Sequence, residues 1–258
     1  MPYHNSDKRF EKYQNIAFMP LDIPYEKMDL EELQVFSDRN YIWPPDLHTE
    51  DDLYGSKKNK HGEYVERHPH KIWRIVCLRG QGFEKPEDWA DASIVRKSWS
   101  SRLERTQEVK NNPHLSKELQ GIVKLIEQLP IQCNHAELVQ QRKDVPLHND
   151  AAVDLDSNKL FPYEPSGFRL LLNDVRQPSF YFCKQHKASE VNPLLYVDVP
   201  MDTNAFVINE LVYPHGAKKI DQLKWVVTAT GPIDPEKHLQ LLEKSYNKYS
   251  DKIIEFTK

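Results

Sequence analysis

The sequence is poor in cysteine, and this limits the kinds of scaffold it can build. It contains only three cysteines among 258 residues, namely Cys77, Cys133 and Cys183. They are far apart along the chain, and no two of them form a Cys-x-x-Cys pair. We therefore expect neither a disulfide framework nor a cysteine-based zinc site, and a reducing compartment is the better match.

Long apolar runs and an excess of basic charge are missing as well. No apolar run approaches the roughly 20 residues that a membrane span requires, and the first residues carry no apolar h-region of a secretory signal. The net charge of −4 gives no basic footprint for nucleic acid. Neither a Gly-rich phosphate loop nor a Ser/His/Asp order is present. We expect a cytoplasmic protein with no nucleic-acid or membrane partner.

The length and the apolar content predict one domain in three parts. The hydrophobic fraction of 39% is enough for one core in a chain of this length. Residues 1–112 are predicted to form a helical and irregular support, with a short helix over 28–36 and a strand over 71–78. Residues 113–233 are predicted to form a β-core, and residues 234–258 a terminal helix.

Two helices are marked by capping residues. Asn112 and Pro113 predict the N-cap and first turn of a helix that ends at Leu129 and Pro130. The terminal helix is predicted to begin at Asp234, with apolar positions at helical spacing that pack on the body of the protein.

Between these helices the pattern is one of short strands separated by turns. The predicted strands cover 132–142, 145–149, 168–172, 179–184, 205–209, 212–217 and 223–229. Many short strands without intervening helices are typical of a closed or sandwiched β-domain. The fold class is therefore predicted to be mainly β with flanking helices.

A His-x-Asp pair and one later histidine are the candidate metal ligands. His148 and Asp150 are two positions apart, so on a strand their side chains point to the same side. His215 follows on a later predicted strand. Two imidazoles and one carboxylate hold iron(II) on one face and leave the opposite face open for chemistry.

Other histidines in the chain compete for these roles. Rival pairs and single residues are His48–Glu50, His61–Glu63, His135–Glu137, His186 and His238. The first two pairs lie in charged, turn-rich sequence, His186 in a polar loop and His238 within the terminal helix. Only His215 follows a strand and a turn and then leads directly into the last strand.

Two basic residues interrupt apolar strands. Lys224 shares one face of the last strand with Val226 and Thr228, and burying a lysine there is costly without an anion. The carboxylate of a keto-acid cosubstrate would supply one. Arg169 lies within an apolar run and suits bidentate carboxylate recognition. It would hold a cosubstrate or substrate carboxylate, or form a structural salt bridge with an acid.

From Pro113 to about Pro235 the sequence resembles the aspartyl/asparaginyl β-hydroxylase and proline-hydroxylase-like branch of the 2-oxoglutarate oxygenases. The shared features, in order, are Leu129-Pro130, Ala136-Glu137-Leu138, His148-x-Asp150, Phe168-Arg169-Leu170-Leu171-Leu172, Tyr213-Pro214-His215-Gly216 and the run up to Thr230. One position departs from the pattern, because relatives commonly carry arginine where Lys224 stands.

The resemblance implies a double-stranded β-helix, the jelly-roll or cupin-like core. It implies iron(II) held by His148, Asp150 and His215, with 2-oxoglutarate as cosubstrate and ascorbate in support. Lys224 would bind the far carboxylate of the cosubstrate, with Arg169 and Thr228 beside it. The expected reaction is hydroxylation of a C–H bond in a small molecule or peptide with an amino-acid moiety.

Three alternatives remain open from the sequence. The first is an inactive or non-oxygenase barrel that binds a ligand or partner, since a fold does not fix its chemistry. The second is a cupin-type isomerase or dioxygenase, which usually employs more histidines and gives Lys224 no task. The third is a nucleic-acid demethylating oxygenase, which the missing basic stripes do not favour.

Overall fold

Two antiparallel sheets carry most of the described chain. The computed structural model describes residues 8–24, 26–40, 73–90, 94, 108–141, 144–149, 166–173, 177–222 and 224–256. The strands are β1 Ile16–Pro20, β2 Trp73–Gln81, β3 Val109–Asn111, β4 His135–Gln141, β5 Val145–His148, β6 Gly167–Leu171, β7 Phe180–Phe182, β8 Leu195–Tyr196, β9 Ala205–Ile208, β10 His215–Ala217, β11 Trp225–Thr230 and β12 Ile254–Glu255. The helices are α1 Leu30–Asn40, α2 Gln120–Glu127 and α3 Pro235–Lys248, with 3-10 segments at Lys8–Tyr13, Pro86–Ala90 and Lys117–Leu119.

The order of the strands identifies the fold. The larger sheet has the order β12-β1-β9-β6-β11-β4-β2-β3, and the smaller has the order β5-β10-β7-β8. Strands β4 to β11 therefore supply the four central positions of the larger sheet and the whole of the smaller one. A chain that crosses between two antiparallel sheets in this order forms a jelly roll. The predicted mainly β fold with a double-stranded β-helix core is confirmed.

The larger sheet separates two apolar layers. On its outer face, Phe168 and Val227 pack with Leu33, Ile122 and Leu242 of the three α-helices. On its inner face, residues that include Leu171, Phe206 and Ile208 pack with Phe182 of the smaller sheet. Val226 of β11 packs in the inner layer. Because side chains alternate along a strand, every second residue of β11 counted from Val226 also faces inward.

Hydrogen bonds from side chains near their first turns decide where α2 and α3 begin. The predicted start of α2 at Pro113 is wrong, because the Asn112 side chain accepts from His114 N at 2.9 Å and donates to the Cys77 carbonyl at 2.8 Å. These bonds form a turn, and the helix begins after the 3-10 segment. The start of α3 agrees with the prediction, since the Asp234 side chain accepts from Lys237 N at 3.1 Å.

Four short or edge strands were not predicted. All five residues of β1 are buried, so the sequence shows no alternation there, and β1 pairs with both β9 and β12. Strands β3, β8 and β12 have only two or three residues each, too few for a periodic signal. Within the described ranges, no helix has the length and apolar character needed to cross a membrane.

Candidate metal centre

Two of the three predicted ligands lie side by side on the smaller sheet. His148 is the last residue of β5 and His215 is the first residue of β10. The two strands are antiparallel neighbours, and these two residues are directly opposite each other. Their ring centroids are 4.5 Å apart, with an angle of 47° between the planes. One metal ion can therefore be reached by both imidazoles.

Both histidines are oriented by the backbone of their own strand segment. His148 Nδ1 is 2.8 Å from the Pro146 carbonyl oxygen, and His215 Nδ1 is 3.3 Å from the Tyr213 carbonyl oxygen. A carbonyl only accepts, so each Nδ1 carries the proton and donates it. In the neutral ring the lone pair is then on Nε2, the arrangement that metal-binding histidines use. The donor chemistry of the pair fits a divalent metal.

The third predicted ligand, Asp150, lies outside the described residues. Its neighbour Asn149 is described, and Asn149 Nδ2 donates to the Leu211 carbonyl at 3.3 Å. This bond joins the end of β5 to the segment that precedes His215. In the part of the chain that the structure describes, no cluster of three or more histidine, cysteine or acidic side chains is present.

Aromatic rings pack beside His215 on the inner side of the smaller sheet. The centroids of Phe180 and Phe182 are 5.6 and 5.9 Å from the centroid of His215. Phe180 is also 6.4 Å from Phe206 of the larger sheet. The two sheets therefore meet in an apolar layer next to the histidine pair, which keeps water from one side of it.

Gly216 permits the close approach of the strands that carry the two histidines. A Cβ at this position would lie 2.5 Å from Tyr181 Oη and 2.7 Å from the Val145 carbonyl oxygen. Tyr181 Oη itself donates to that carbonyl at 3.1 Å. The tyrosine thus crosses over Gly216 and links β7 to β5 next to the histidine pair.

Lys224 is a half-buried cation beside the start of β11. Its Nζ donates to Ser179 Oγ at 2.8 Å, and Ser179 is itself buried. Burial lowers the pKa of Lys224 to about 8, because a charged amine loses solvation in the interior. Ser179 was not predicted, and no sequence signal singled it out.

The spacing along β10 relates Lys224 to the histidines. Lys218 N donates to the Ser179 carbonyl at 2.8 Å, so Ser179 is opposite Lys218. Lys218 is three residues beyond His215, which is about 10 Å along a strand.

Arg169 is engaged with an acid. Its guanidinium forms an ion pair with the Glu210 carboxylate, and both side chains are about one-seventh exposed, at 15% and 14%. Arg169 Nη1 also donates to the Phe168 carbonyl at 3.1 Å. The geometry is that of the salt-bridge alternative. Glu210 had not been recognised from the sequence, because acids near a strand end are common.

Thr228 lies in a row of residues across the larger sheet. It is directly opposite Glu137 of β4 on one side and Arg169 of β6 on the other. It is four residues from Lys224, about 13 Å along the strand. Thr228 and Lys224 therefore share a face but lie at different depths of the fold.

The rival histidines occupy other places. His135 Nε2 is 2.5 Å from Glu137 Oε1 in a buried pair on β4. His238 is buried in α3, where its ring stacks on Phe10 with centroids 5.6 Å apart. His186 lies in an exposed loop, and the pairs at 48–50 and 61–63 lie outside the described residues.

Comparisons with known proteins give a weak likeness to oxygenases. No protein-family model matches the chain, and no curated protein does. The solved structures that resemble it include an oxidoreductase of the 2OG-Fe(II) oxygenase family from Burkholderia pseudomallei. That match has a TM-score of 0.33 and 9% sequence identity, over 64% of this chain and 73% of the other.

Two matches cover more of the chain. AviO1 from Streptomyces viridochromogenes Tue57 is 15% identical over 87% of this chain and 96% of its own, with a TM-score of 0.36. HygX from Streptomyces hygroscopicus, solved with nickel, 2-oxoglutarate and hygromycin B, is 15% identical over 88% of this chain and 87% of its own, with a TM-score of 0.33. Because these scores are low, the fold assignment rests on the strand order and not on the neighbours.

Proposed function

We propose that this protein is an iron(II)- and 2-oxoglutarate-dependent dioxygenase that hydroxylates a C–H bond of an amino-acid-like substrate. The resemblance to the aspartyl/asparaginyl β-hydroxylase branch implies that the substrate would be a free amino acid or a protein side chain. The co-products would be succinate and carbon dioxide. The single observation that carries the proposal is the His148–His215 pair, with centroids 4.5 Å apart inside a jelly roll.

The metal would be held by His148 Nε2, His215 Nε2 and the Asp150 carboxylate. When bound, iron(II) supplies the dioxygen-activating chemistry that no protein side chain provides. The chain's own contribution is orientation. The Pro146 and Tyr213 carbonyls hold each imidazole in the Nδ1–H tautomer.

The cosubstrate would lie between the histidine pair and Lys224. Its far carboxylate would accept from Lys224 Nζ and from Ser179 Oγ, which already contact each other at 2.8 Å. A half-buried cation without an acidic partner among the described residues loses part of its solvation, and a carboxylate offsets that cost. This supports a diacid at the position.

The inner wall of the larger sheet would face the substrate. Arg169, Thr228 and Glu137 form one polar row across three strands, on the face of the sheet whose apolar residues include Leu171 and Phe206. With Arg169 paired to Glu210, this row presents both donors and acceptors. It suits a substrate that carries both kinds of group, as an amino-acid moiety does.

The test is metal-dependent turnover of 2-oxoglutarate. Purified protein loaded with iron(II) and ascorbate should form succinate, and His148→Ala and His215→Ala should each abolish this. Nickel binding measured by calorimetry should weaken in both variants by at least 100-fold. The matched control is His186→Ala, which removes an exposed loop histidine and should change neither quantity.

The outcomes separate the proposal from its rival. Full turnover in both histidine variants contradicts the assignment. Binding of nickel and 2-oxoglutarate without succinate, across a panel of amino-acid and peptide substrates, would instead identify a ligand-binding barrel.

A further inference from the structure

The strand that carries His148 is held weakly by its own sheet. β5 is an edge strand of four residues, and among the described strands it pairs only with β10. The register is irregular, because the three steps from Val145 to His148 lie opposite only two steps of β10. The extra residue forms a bulge, which interrupts the ladder, and Pro146 within it has no N–H to donate. The ladder alone therefore fixes the end of β5 poorly.

Side chains fasten the start of β5. The Asp144 carboxylate accepts from Lys219 N at 2.7 Å and pairs with Lys218 Nζ at 3.1 Å. Tyr181 Oη donates to the Val145 carbonyl at 3.1 Å. These contacts come from β7 and from the segment after β10, and they hold only the first residue of the strand and the residue before it.

Asn149 fastens the other end of the strand. Its Nδ2 donates to the Leu211 carbonyl at 3.3 Å, and within the described ranges this is the only hydrogen bond of Asn149. Leu211 lies in a turn that is closed by a 3.1 Å hydrogen bond from Tyr213 N. The Tyr213 carbonyl in turn orients the ring of His215. The amide of Asn149 therefore connects the residue after His148 to the turn that leads into His215.

This turn is itself anchored on the larger sheet. Asn209 N donates to the Ala17 carbonyl of β1 at 3.0 Å, and the Glu210 carboxylate pairs with Arg169 of β6. A hydrogen bond to the turn thus ties the edge strand to the larger sheet. Because the ends of weakly held elements open most easily, the bond from Asn149 decides how firmly the end of β5 is placed.

We propose that Asn149 is a positioning residue of the metal centre, whose amide holds the end of β5 at a fixed separation from the segment that carries His215. This inference rests on the proposed function. It gives a task to the residue between His148 and Asp150, a position that supplies no metal ligand itself. Without the amide, the end of β5 gains freedom, and the ligands on either side of Asn149 lose part of their preorganisation.

The experiment compares nickel binding by calorimetry in the wild-type protein and in Asn149→Leu. Leucine has nearly the shape of asparagine but no side-chain N–H to donate. A neutral hydrogen bond of this kind changes an equilibrium by about 3- to 10-fold, so nickel affinity should fall by that factor. Asn149→Ala should give the same loss, and it replaces the leucine variant if that protein does not fold.

The matched control is Asn40→Leu. It removes a part-buried bond of the same kind, from Asn40 Nδ2 to the Phe36 carbonyl at 2.9 Å within α1. Its nickel affinity should equal that of the wild-type protein. Each variant loses one hydrogen bond, so the free energies of unfolding in urea, measured without metal, should decrease by similar amounts.

A spectroscopic readout separates positioning from a general loss of stability. Cobalt(II) serves as the probe, because its visible absorption at saturating metal depends on the coordination geometry. We expect Asn149→Leu to change the intensity or position of these bands at saturation. Asn40→Leu should leave them as they are in the wild-type protein.

The outcomes separate this inference from the proposed function. Weaker nickel binding together with a changed cobalt spectrum in the Asn149 variants, and not in Asn40→Leu, supports the positioning role. Wild-type nickel affinity in the Asn149 variants would overturn it and leave the proposed oxygenase function standing. An unchanged cobalt spectrum would overturn it as well, whatever the affinity. If the wild-type protein binds neither metal, the inference and the proposed function both fail.

Discussion

The Glu210 side chain reaches Arg169 across the backbone of Gly167. A Cβ on Gly167 would lie 2.9 Å from Glu210 Cδ and 2.8 Å from Ile208 Cγ1. The ion pair therefore depends on a residue without a side chain at the start of β6. It connects the segment before His215 to the inner wall of the larger sheet, so its loss should affect both stability and the position of His215.

Truncating the acid should destabilise the fold. We expect Glu210→Ala to lower the free energy of unfolding by about 1–3 kcal/mol, because it leaves a half-buried arginine without its carboxylate. Urea unfolding measures this. The double variant Glu210→Ala with Arg169→Met should recover part of the loss. If the double variant loses more free energy of unfolding than the two single variants lose together, the ion pair is not favourable.

Gly167→Ala should lower the free energy of unfolding by disturbing the same Arg169–Glu210 ion pair. Overpacking of this size typically costs about 1–3 kcal/mol. Because the new methyl group meets the Glu210 side chain, the cost should be smaller in a Glu210→Ala background, and a double-mutant cycle gives the difference. Equal costs in both backgrounds would show that Ile208 alone causes the strain.

Lys224 should lower stability at neutral pH in the absence of ligand. Its pKa decreases from 10.5 to about 8 on folding, so between these values the unfolded chain binds more protons and stability rises with pH. Below pH 8 the penalty is fully present, at about 3 kcal/mol.

Lys224→Met should therefore be more stable than the wild type at pH 7, and the difference should shrink toward pH 10.5. Urea unfolding over this pH range tests it. The matched control is Lys187→Met, which replaces an exposed loop lysine and should give no such pH-dependent difference in stability. A Lys224→Met protein that is less stable at every pH would contradict the interpretation.

Gly216→Ala should separate the two histidines. Its methyl group would overlap with Tyr181 Oη and with the Val145 carbonyl oxygen, and the backbone carbonyl has little freedom to move. We expect at least tenfold weaker nickel binding in a protein that still folds, as circular dichroism and calorimetry would show.

The matched control for this change is Gly121→Ala. There the new methyl group meets the flexible ends of the Glu26 and Met28 side chains, at 2.9 and 3.0 Å. Nickel affinity should be unaffected. Unchanged nickel affinity in Gly216→Ala would mean that the strand pairing tolerates the methyl group.

Much of the fold was predictable because the relevant signals are local. The strands that alternate or carry a clear apolar run were found, and so was the start of α3, whose Asp234-Pro235 cap is a short-range feature. The strand β1 was missed because it is buried on both faces, and β8 because two residues carry no period. The start of α2 was misplaced because Asn112 bonds to Cys77, a contact distant in sequence.

Part of the geometry of the candidate site could also be predicted from the sequence. His148 and His215 were selected by their order relative to the strands, and the structure brings them together. The partners of the basic residues were not foreseen. Ser179 contacts Lys224 because the start of β7 lies near the start of β11, and Glu210 contacts Arg169 because β9 pairs with β6. No spacing in the sequence encodes either contact.

The carbonyls that orient the two imidazoles belong to Pro146 and Tyr213, each two residues before its own histidine. The orientation of each ring is therefore set by its own segment and does not depend on the other histidine. Once β5 and β10 pair, the two ring centroids are 4.5 Å apart. The proposed metal ion should therefore meet two imidazoles that are already oriented before it binds.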